Sequence, residues 1–251
     1  EYGITAAHNA LSDAQLEWKD VQYVSGANTM RCGYPGNISG ATFAQALGWN
    51  GARISSCYAA CASGAAAMNI ARSQILSGMC DVAMVIGSDS APKGFFGPQK
   101  GDRPDDPDWL RFHLLGATNP TYFALYARRR MELYGATEDD FAGLKVKNSR
   151  HGLHNPNARY RKEFTKEQIL GSPMVCNPLR LFQICATSDG AAAVILSSVE
   201  FAKRHTQNPI TVAGISTITP TYPNTTLDLP DMSTDSASNV TAPEVPFRDA
   251  I

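Results

Sequence analysis

The most constraining feature of the sequence is the alternation of apolar runs and small residues between positions 53 and 87. Residues 53–58 have the composition of a strand, residues 59–64 form a turn of small side chains, and residues 65–76 form an alanine-rich helix. The near-continuous apolar run 81–87 predicts another strand. Strand, turn, helix and strand in this order make a βαβ unit, and such units build parallel sheets with buried strands. The segment therefore predicts an α/β fold in which both strands are buried.

Patterns on either side extend this unit. Periodic apolar residues predict helices over residues 3–16, 41–47, 121–134 and 199–205, and β-rich runs predict strands over 21–25, 191–197 (again buried) and 210–217. Cap-like starts predict helix N-termini at Thr137 and Thr165. Four prolines between residues 90 and 108 exclude a core element there. Together the patterns predict one layered α/β domain with a loop-and-helix insertion over about residues 90–180.

Composition excludes several classes of protein. Of the 251 residues, 43% are hydrophobic and 18% are charged, and the formal net charge is −1. Neither a basic stripe for nucleic acid nor an acidic tail is predicted. No apolar run reaches the ~18 residues of a membrane span, and no signal peptide is visible. The six cysteines match no paired zinc-ligand spacing, which predicts free thiols, no metal site and a reducing, cytoplasmic location.

Cys61 lies at the predicted turn from strand to helix, with small residues on both sides. Free N–H groups and the positive end of a helix stabilise an anion there, so we expect the pKa of this thiol to fall and its nucleophilicity to rise. The same N–H groups can hold the oxyanion of an attacked thioester. The alternative is that a cysteine between alanines is only a small buried residue. That alternative fits Cys57, Cys80 and Cys185.

Three motifs resemble segments of the thiolase superfamily. Cys61-Ala62-Ser63-Gly64, with the helix and strand that follow, is similar to its nucleophile segment. Lys147-Asn148-Ser149-Arg150-His151 with Asn155-Pro156 resembles the loop-domain motif of sterol-carrier-protein-type thiolases. Thr187-Ser188-Asp189-Gly190-Ala191-Ala192-Ala193 resembles the segment that returns to the N-terminal domain. Residues 53–61 and 92–96 look like lipid-transfer-protein thiolases of the bacterial steroid side-chain degradation branch.

The resemblance implies a thiolase-like layered α/β/α fold. It places an N-terminal domain in residues 1–90 and 181–218, and a loop-domain insertion in residues 91–180. Residues 219–251 would be a linker and the start of a C-terminal thiolase domain that is otherwise missing. The remaining catalytic histidines of the family lie in motifs of that domain, and none of the five histidines here has such a context.

The resemblance also assigns roles to individual residues. Cys61 is expected to be the nucleophile that carries the acyl group, with coenzyme A as a substrate and with no bound cofactor. His151 is expected to contact the pantetheine or acyl portion, and a surface histidine is an equal alternative. Phe96 is expected to line an acyl pocket, with a loop anchor as its alternative. For Arg128-Arg129-Arg130 a solvated helix face is favoured over contact with a coenzyme A phosphate.

These assignments predict an acyl-CoA C-acyltransferase that acts on a lipid- or sterol-derived 3-oxoacyl-CoA. Two alternatives stay open. One is a thiolase-fold aldolase or lyase that works without an acyl-cysteine, with a small OB-fold partner that binds the acyl-CoA. The other is a non-catalytic lipid-transfer protein that binds sterol acyl-CoA esters. The resemblance further implies a homodimer formed around the strand over residues 81–87.

Overall fold

The computed structural model describes residues 1–29, 38–91, 105, 116 and 118–217. These residues divide into two compact units. Unit 1 contains the described residues within Glu1–Pro92 and Asp189–Thr219, and unit 2 contains those within Lys93–Ser188. The domain boundaries implied by the resemblance stay predictions.

The secondary structure follows the predicted order closely. The helices are α1 (Tyr2–Ala14), α2 (Ser39–Leu47), α3 (Ser63–Leu76), α4 (Asn119–Tyr134), α5 (Glu138–Gly152), α6 (Lys166–Leu170) and α7 (Val199–His205). The strands are β1 (Tyr23–Ala27), β2 (Arg53–Cys57), β3 (Val82–Asp89), β4 (Met174–Cys176), β5 (Leu179–Arg180) and β6 (Gly190–Ser197). The helix predictions are therefore confirmed to within a few residues at their ends.

Unit 1 contains a sheet in the order β2-β1-β3-β6. Strand β1 is parallel to both β2 and β3, and β6 is antiparallel to β3. Side chains alternate between the two faces of each strand. Val24, Met84 and Ile86 pack with α1 and with Phe43 of α2 on one face. Tyr23, Ala83 and Val85 pack against Ala67 and Ala71 of α3 on the other. The predicted layered α/β/α arrangement is confirmed.

Two strands that were predicted to be buried are partly exposed. Strands β2 and β6 lie at the two edges of this sheet, where Ile54 and Val194 are each 42% exposed. An edge strand has a neighbour on one side only, and the local sequence does not specify this position. Strand β3 lies inside the sheet, and its first five residues are all buried as predicted.

The strand predicted over residues 210–217 is absent. The segment has no regular secondary structure, and the side chain of Ile210 is 99% exposed. A strand forms only where a neighbouring strand completes its hydrogen bonds. Within the described part of the chain no strand pairs with this segment.

Close approach of α2 to the sheet requires glycine at two positions. A Cβ atom on Gly26 of β1 would collide with the backbone nitrogen of Gly40, and a Cβ atom on Gly40 would collide with the carbonyl oxygen of Ser55 in β2. The start of α2 is thus pressed onto β1 and β2, which holds the edge strand β2 in place beside β1.

Unit 2 contains α4, α5, α6 and the two-stranded β4–β5 sheet. The helix starts predicted at Thr137 and Thr165 are confirmed as capping boxes, in which each threonine exchanges hydrogen bonds with the residue three positions later. Ala142, Phe164 and Ile169 form one buried cluster. Ala124, Ala127 and Leu179 form another.

Candidate active site

Cys61 lies on the connection between the end of β2 and the start of α3, and it is exposed. The preceding residue, Ala60, has a φ of 46°, which lies in the left-handed region that non-glycine residues seldom occupy. Backbone strain of this kind persists only where the surroundings enforce it, and it is common at functional sites. The turn therefore presents the Cys61 side chain at the carboxyl end of a parallel strand, where ligands of open α/β sheets usually bind.

Ser63 is the residue that enforces this turn. It is only 3% exposed, and its hydroxyl accepts a hydrogen bond from the N–H of Ala59 at 2.8 Å. The same hydroxyl lies 2.9 Å from the carbonyl oxygen of Asn28 and 2.7 Å from that of Ala60, and it can donate to either. Ser63 thus connects both sides of the turn to the end of β1.

Hydrogen bonds link the carboxyl ends of the three parallel strands at the edge of the sheet where the Cys61 turn begins. The buried Asn28 follows β1 and donates a side-chain hydrogen bond to the carbonyl oxygen of Ser88 in β3. Its backbone N–H donates to the carbonyl oxygen of Cys57 at 3.3 Å. The N–H of Thr29 donates to both carboxylate oxygens of Asp89, at 2.9 and 3.1 Å. These contacts make a rigid base for the Cys61 turn.

The start of α3 supplies the positive electrostatic potential expected at this site. Its first turn leaves N–H groups without helical partners, and a helix of 14 residues carries a partial positive charge at this end. The N–H groups of Ala62 and Ser63 already donate to the carbonyl oxygens of Ala59 and Ala60. Any oxyanion contact would therefore come from other groups of the first turn. Space beside Gly64 is open, since a Cβ atom there would meet nothing within 4 Å.

Cys57 and Cys80 are less accessible than Cys61. Cys80 is buried and Cys57 is half-buried, and burial raises the pKa of both thiols. The prediction that Cys185 is buried is wrong, because it is exposed at the end of a short turn of unit 2. Cys57 and Cys80 are therefore poor nucleophiles at neutral pH.

The remaining candidate residues lie in unit 2 or outside the described residues. His151 is exposed in the last turn of α5, and its expected contact with the pantetheine or acyl portion stays a prediction. Phe96 lies outside the described residues, so its expected place in an acyl pocket stays a prediction. Arg128 donates to the side-chain oxygen of Asn177, and Arg129 pairs with Glu132. The solvated-face interpretation fits these two arginines.

Two negative findings apply to the described residues. None of their His, Cys, Asp and Glu side chains gather in threes to hold a metal ion. No helix among them has the length and hydrophobicity to cross a membrane.

The sequence predicts the turn that carries Cys61, but it does not predict the residues that hold this turn. In the sequence, Ser63 stands out only as a small residue, and nothing next to Asn28 links it to the turn. The one local signal was a serine at the start of a helix that follows a strand, which is a position where hydroxyls often bond to the backbone. The contact between Ser63 and Asn28 joins residues 35 positions apart, so no local pattern reveals it.

The chain is similar to one protein family and to several known proteins. Residues 2–98 match the family described as beta-ketoacyl synthase, N-terminal domain. The chain is 31% identical over 233 residues to sterol carrier protein 2 of Gallus gallus, covering 88% of this chain and 41% of that protein. It is 33% identical over 189 residues to the benzoylsuccinyl-CoA thiolase subunit BbsB of Thauera aromatica, covering 72% of this chain and 47% of that protein. The chain thus spans less than half the length of both relatives.

A solved structure shows the same fold. The Ltp2-ChsH2(DUF35) aldolase superposes with a TM-score of 0.62 at 24% identity, covering 81% of this chain and 52% of that chain.

Proposed function

We propose that this chain, which belongs to the thiolase superfamily, carries the acyl-accepting cysteine of an acyl-CoA C-acyltransferase. The observation that carries the proposal is the exposed thiol of Cys61 on a strained turn at the N-terminus of α3. The similarity to a benzoylsuccinyl-CoA thiolase subunit supports it. We infer that the substrate is a lipid- or sterol-derived 3-oxoacyl-CoA, which the similarity to sterol carrier protein 2 supports.

The proposed chemistry has two half-reactions. In the first, the Cys61 thiolate attacks the C3 carbonyl of the 3-oxoacyl-CoA, a carbon–sulfur bond forms, the C2–C3 bond breaks, and acetyl-CoA leaves as an enolate that takes up a proton. In the second, a coenzyme A thiolate attacks acyl-Cys61, and the shortened acyl-CoA leaves as the Cys61 thiolate is restored. The second half-reaction is reversible, so an acyl-CoA alone also transfers its acyl group to Cys61. The helix N-terminus stabilises the negative oxygen of the tetrahedral intermediate. No redox partner is needed.

Intact-mass spectrometry after incubation with decanoyl-CoA tests this proposal. We expect one decanoyl adduct, located on Cys61 by peptide mapping and reversed by added coenzyme A. The Cys61→Ala chain should form no adduct. Cys57→Ala is the matched control, because it removes a neighbouring thiol of raised pKa and should keep the adduct. Absence of the adduct in the unaltered chain, or its persistence in Cys61→Ala, would contradict the proposal.

A carbon–carbon lyase is the second candidate, and the structural similarity to the Ltp2-ChsH2(DUF35) aldolase favours it. Such an activity does not require an acyl-cysteine, so it would survive in Cys61→Ala. A small OB-fold partner that binds the acyl-CoA ester would be expected to co-purify with the chain. Binding of an acyl-CoA with neither an adduct nor cleavage would favour the lipid-transfer alternative.

We also propose a homodimer, through a different strand from the one first expected. Strand β3 is hydrogen-bonded to β1 on one side and to β6 on the other, so it has no free edge for a second copy. Strand β2 is an edge strand with an exposed Ile54, and unpaired edges are sites of strand addition. Sedimentation should show a dimer that Ile54→Lys converts to a monomer. A monomer without the substitution at micromolar concentration would refute this.

A further inference from the structure

Unit 2 contains an open cleft of about 440 Å³ between α4, α5 and the segment that follows β5. This volume is within the range of small-molecule binding sites. The cleft is mostly apolar, and it lies wholly within unit 2, away from the Cys61 turn in sequence. The lining side chains used below are Phe123, Arg130, Phe141, Ile184 and Cys185.

The cleft lining includes a positive group that forms no ion pair within the described residues. In the run of three arginines on α4, Arg128 bonds to Asn177 and Arg129 pairs with Glu132, whereas Arg130 lines the cleft. The guanidinium carbon of Arg130 lies 5.3 Å from the centre of the Tyr134 ring. Arg130 is exposed, and within the described residues no carboxylate lies in ion-pair distance of it, although the Asp140 carboxylate is close enough for Arg130 to help lower its pKa. A guanidinium prefers to bind a carboxylate with two parallel hydrogen bonds.

A buried donor without a hydrogen-bond partner also belongs to the cleft. Gln183 lines it, and the Gln183 side-chain oxygen accepts a hydrogen bond from the N–H of Arg180 at 2.8 Å. The Gln183 Nε2 atom is buried and has no hydrogen-bond partner in the part of the chain that the structure describes. Buried donors without partners are rare in native proteins. Gln183 Nε2 therefore lacks an acceptor, and a ligand with oxygen acceptors could also bind the nearby Arg130 guanidinium.

We propose that this cleft binds an amphiphilic carboxylate. Its hydrocarbon part lies against Phe123, Phe141 and Ile184, where burial of apolar surface favours binding, and its carboxylate pairs with Arg130. This proposal does not depend on the acyl transfer proposed for Cys61, and the two are tested separately.

Cys185 provides a direct readout of occupancy. It is exposed and lines the cleft, so a bound ligand should slow its alkylation by a maleimide. Peptide mass spectrometry measures the alkylation rate of Cys185, with the rate at Cys61 as an internal comparison. The probes are decanoate, decanol and coenzyme A, the first two below the concentration at which they aggregate. Decanoate should protect Cys185 at lower concentration than decanol, and coenzyme A should not protect it.

Substitutions on α4 separate the charge from the apolar contact. Arg130→Met keeps an unbranched apolar side chain and should raise the decanoate concentration for half-protection by about three- to fivefold, the range of an exposed ion pair. The decanol concentration for half-protection should stay unchanged in this variant. Arg129→Met, the neighbouring arginine outside the cleft lining, is the matched control and should have no effect. Phe123→Ala should weaken the binding of both decanoate and decanol. Because Phe123 is 62% exposed, this substitution does not disturb the core.

Three results would overturn the proposal. Failure of decanoate to slow alkylation of Cys185 would show that the cleft does not bind it. An equal effect of Arg129→Met and Arg130→Met would reduce the interaction to general charge attraction. Protection by coenzyme A without protection by decanoate would identify a phosphate site instead of a carboxylate site.

Discussion

The replacement Ser63→Ala tests whether the Cys61 turn is held by a single buried hydroxyl. The Ser63 hydroxyl accepts from the N–H of Ala59 at 2.8 Å and donates to a carbonyl oxygen, either that of Asn28 at 2.9 Å or that of Ala60 at 2.7 Å. Alanine removes both the acceptor and the donor without leaving a large cavity. Each net hydrogen bond contributes about 0.5–1.5 kcal/mol, so we expect a loss of about 2 kcal/mol in the free energy of unfolding.

Urea and thermal denaturation measure this loss. For a chain of this size, about 2 kcal/mol corresponds to a fall in Tm of about 4–8 °C. Ser73→Ala is the matched control in the same helix, because the Ser73 residue is exposed and, among the described residues, its hydroxyl bonds only to the carbonyl oxygen of Asn69 at 2.8 Å. That control should change the free energy of unfolding by no more than about 0.5 kcal/mol.

Reactivity of Cys61 gives an independent readout on the same two variants. At a temperature where Ser63→Ala is fully folded, the rate of the Cys61 adduct should fall by about tenfold to 100-fold, because misplacement of a reacting group is costly. The rate in Ser73→Ala should equal that of the unaltered chain. If Ser63→Ala unfolds with the same free energy as Ser73→Ala, or forms the adduct at an unchanged rate, the hydroxyl does not hold the turn.

Two further predictions concern packing and pH. Gly40→Ala should cost more than about 2 kcal/mol, because its Cβ atom would collide with the Ser55 carbonyl. A Cβ atom on Gly64 would meet open space, so Gly64→Ala should stabilise α3 by up to about 1 kcal/mol. The added methyl group should slow acylation of Cys61 by bulky thioesters. Equal stability changes in Gly40→Ala and Gly64→Ala would contradict the packing argument. Thr137→Ala should cost about 1 kcal/mol at neutral pH through loss of the α5 cap. Hydrogen bonds from Thr137 lower the pKa of Asp140 in the folded chain. The stability that these bonds add is therefore complete above the ordinary Asp pKa of about 3.9, and it is lost as pH falls through the lowered native pKa. The Tm difference between Thr137→Ala and the unaltered chain should therefore be constant above about pH 5 and shrink in stronger acid; a difference that grows in acid would reverse this assignment.

Local sequence determined the features whose physics is local. The helix starts at Thr137 and Thr165 follow from side chains that bond to N–H groups three residues away. The Cys61 turn follows from small residues between a strand and a helix. The continuous apolar run 82–86 predicts a strand buried on both faces, and all five residues are buried in the structure. Such contacts form within one turn or one strand, so a short window contains all the interacting groups.

Tertiary structure decided what depends on partners distant in sequence. The edge positions of β2 and β6 follow from the strand order, which no single strand encodes. Residues 210–217 have a strand-like composition but find no partner strand among the described residues, so composition alone does not make them a strand. The role of Ser63 depends on Asn28, and only the folded chain shows that Arg130 lines the cleft while Arg129 pairs with Glu132. Hydrogen bonds and ion pairs act over a few ångströms, and only the folded chain brings these groups within that range.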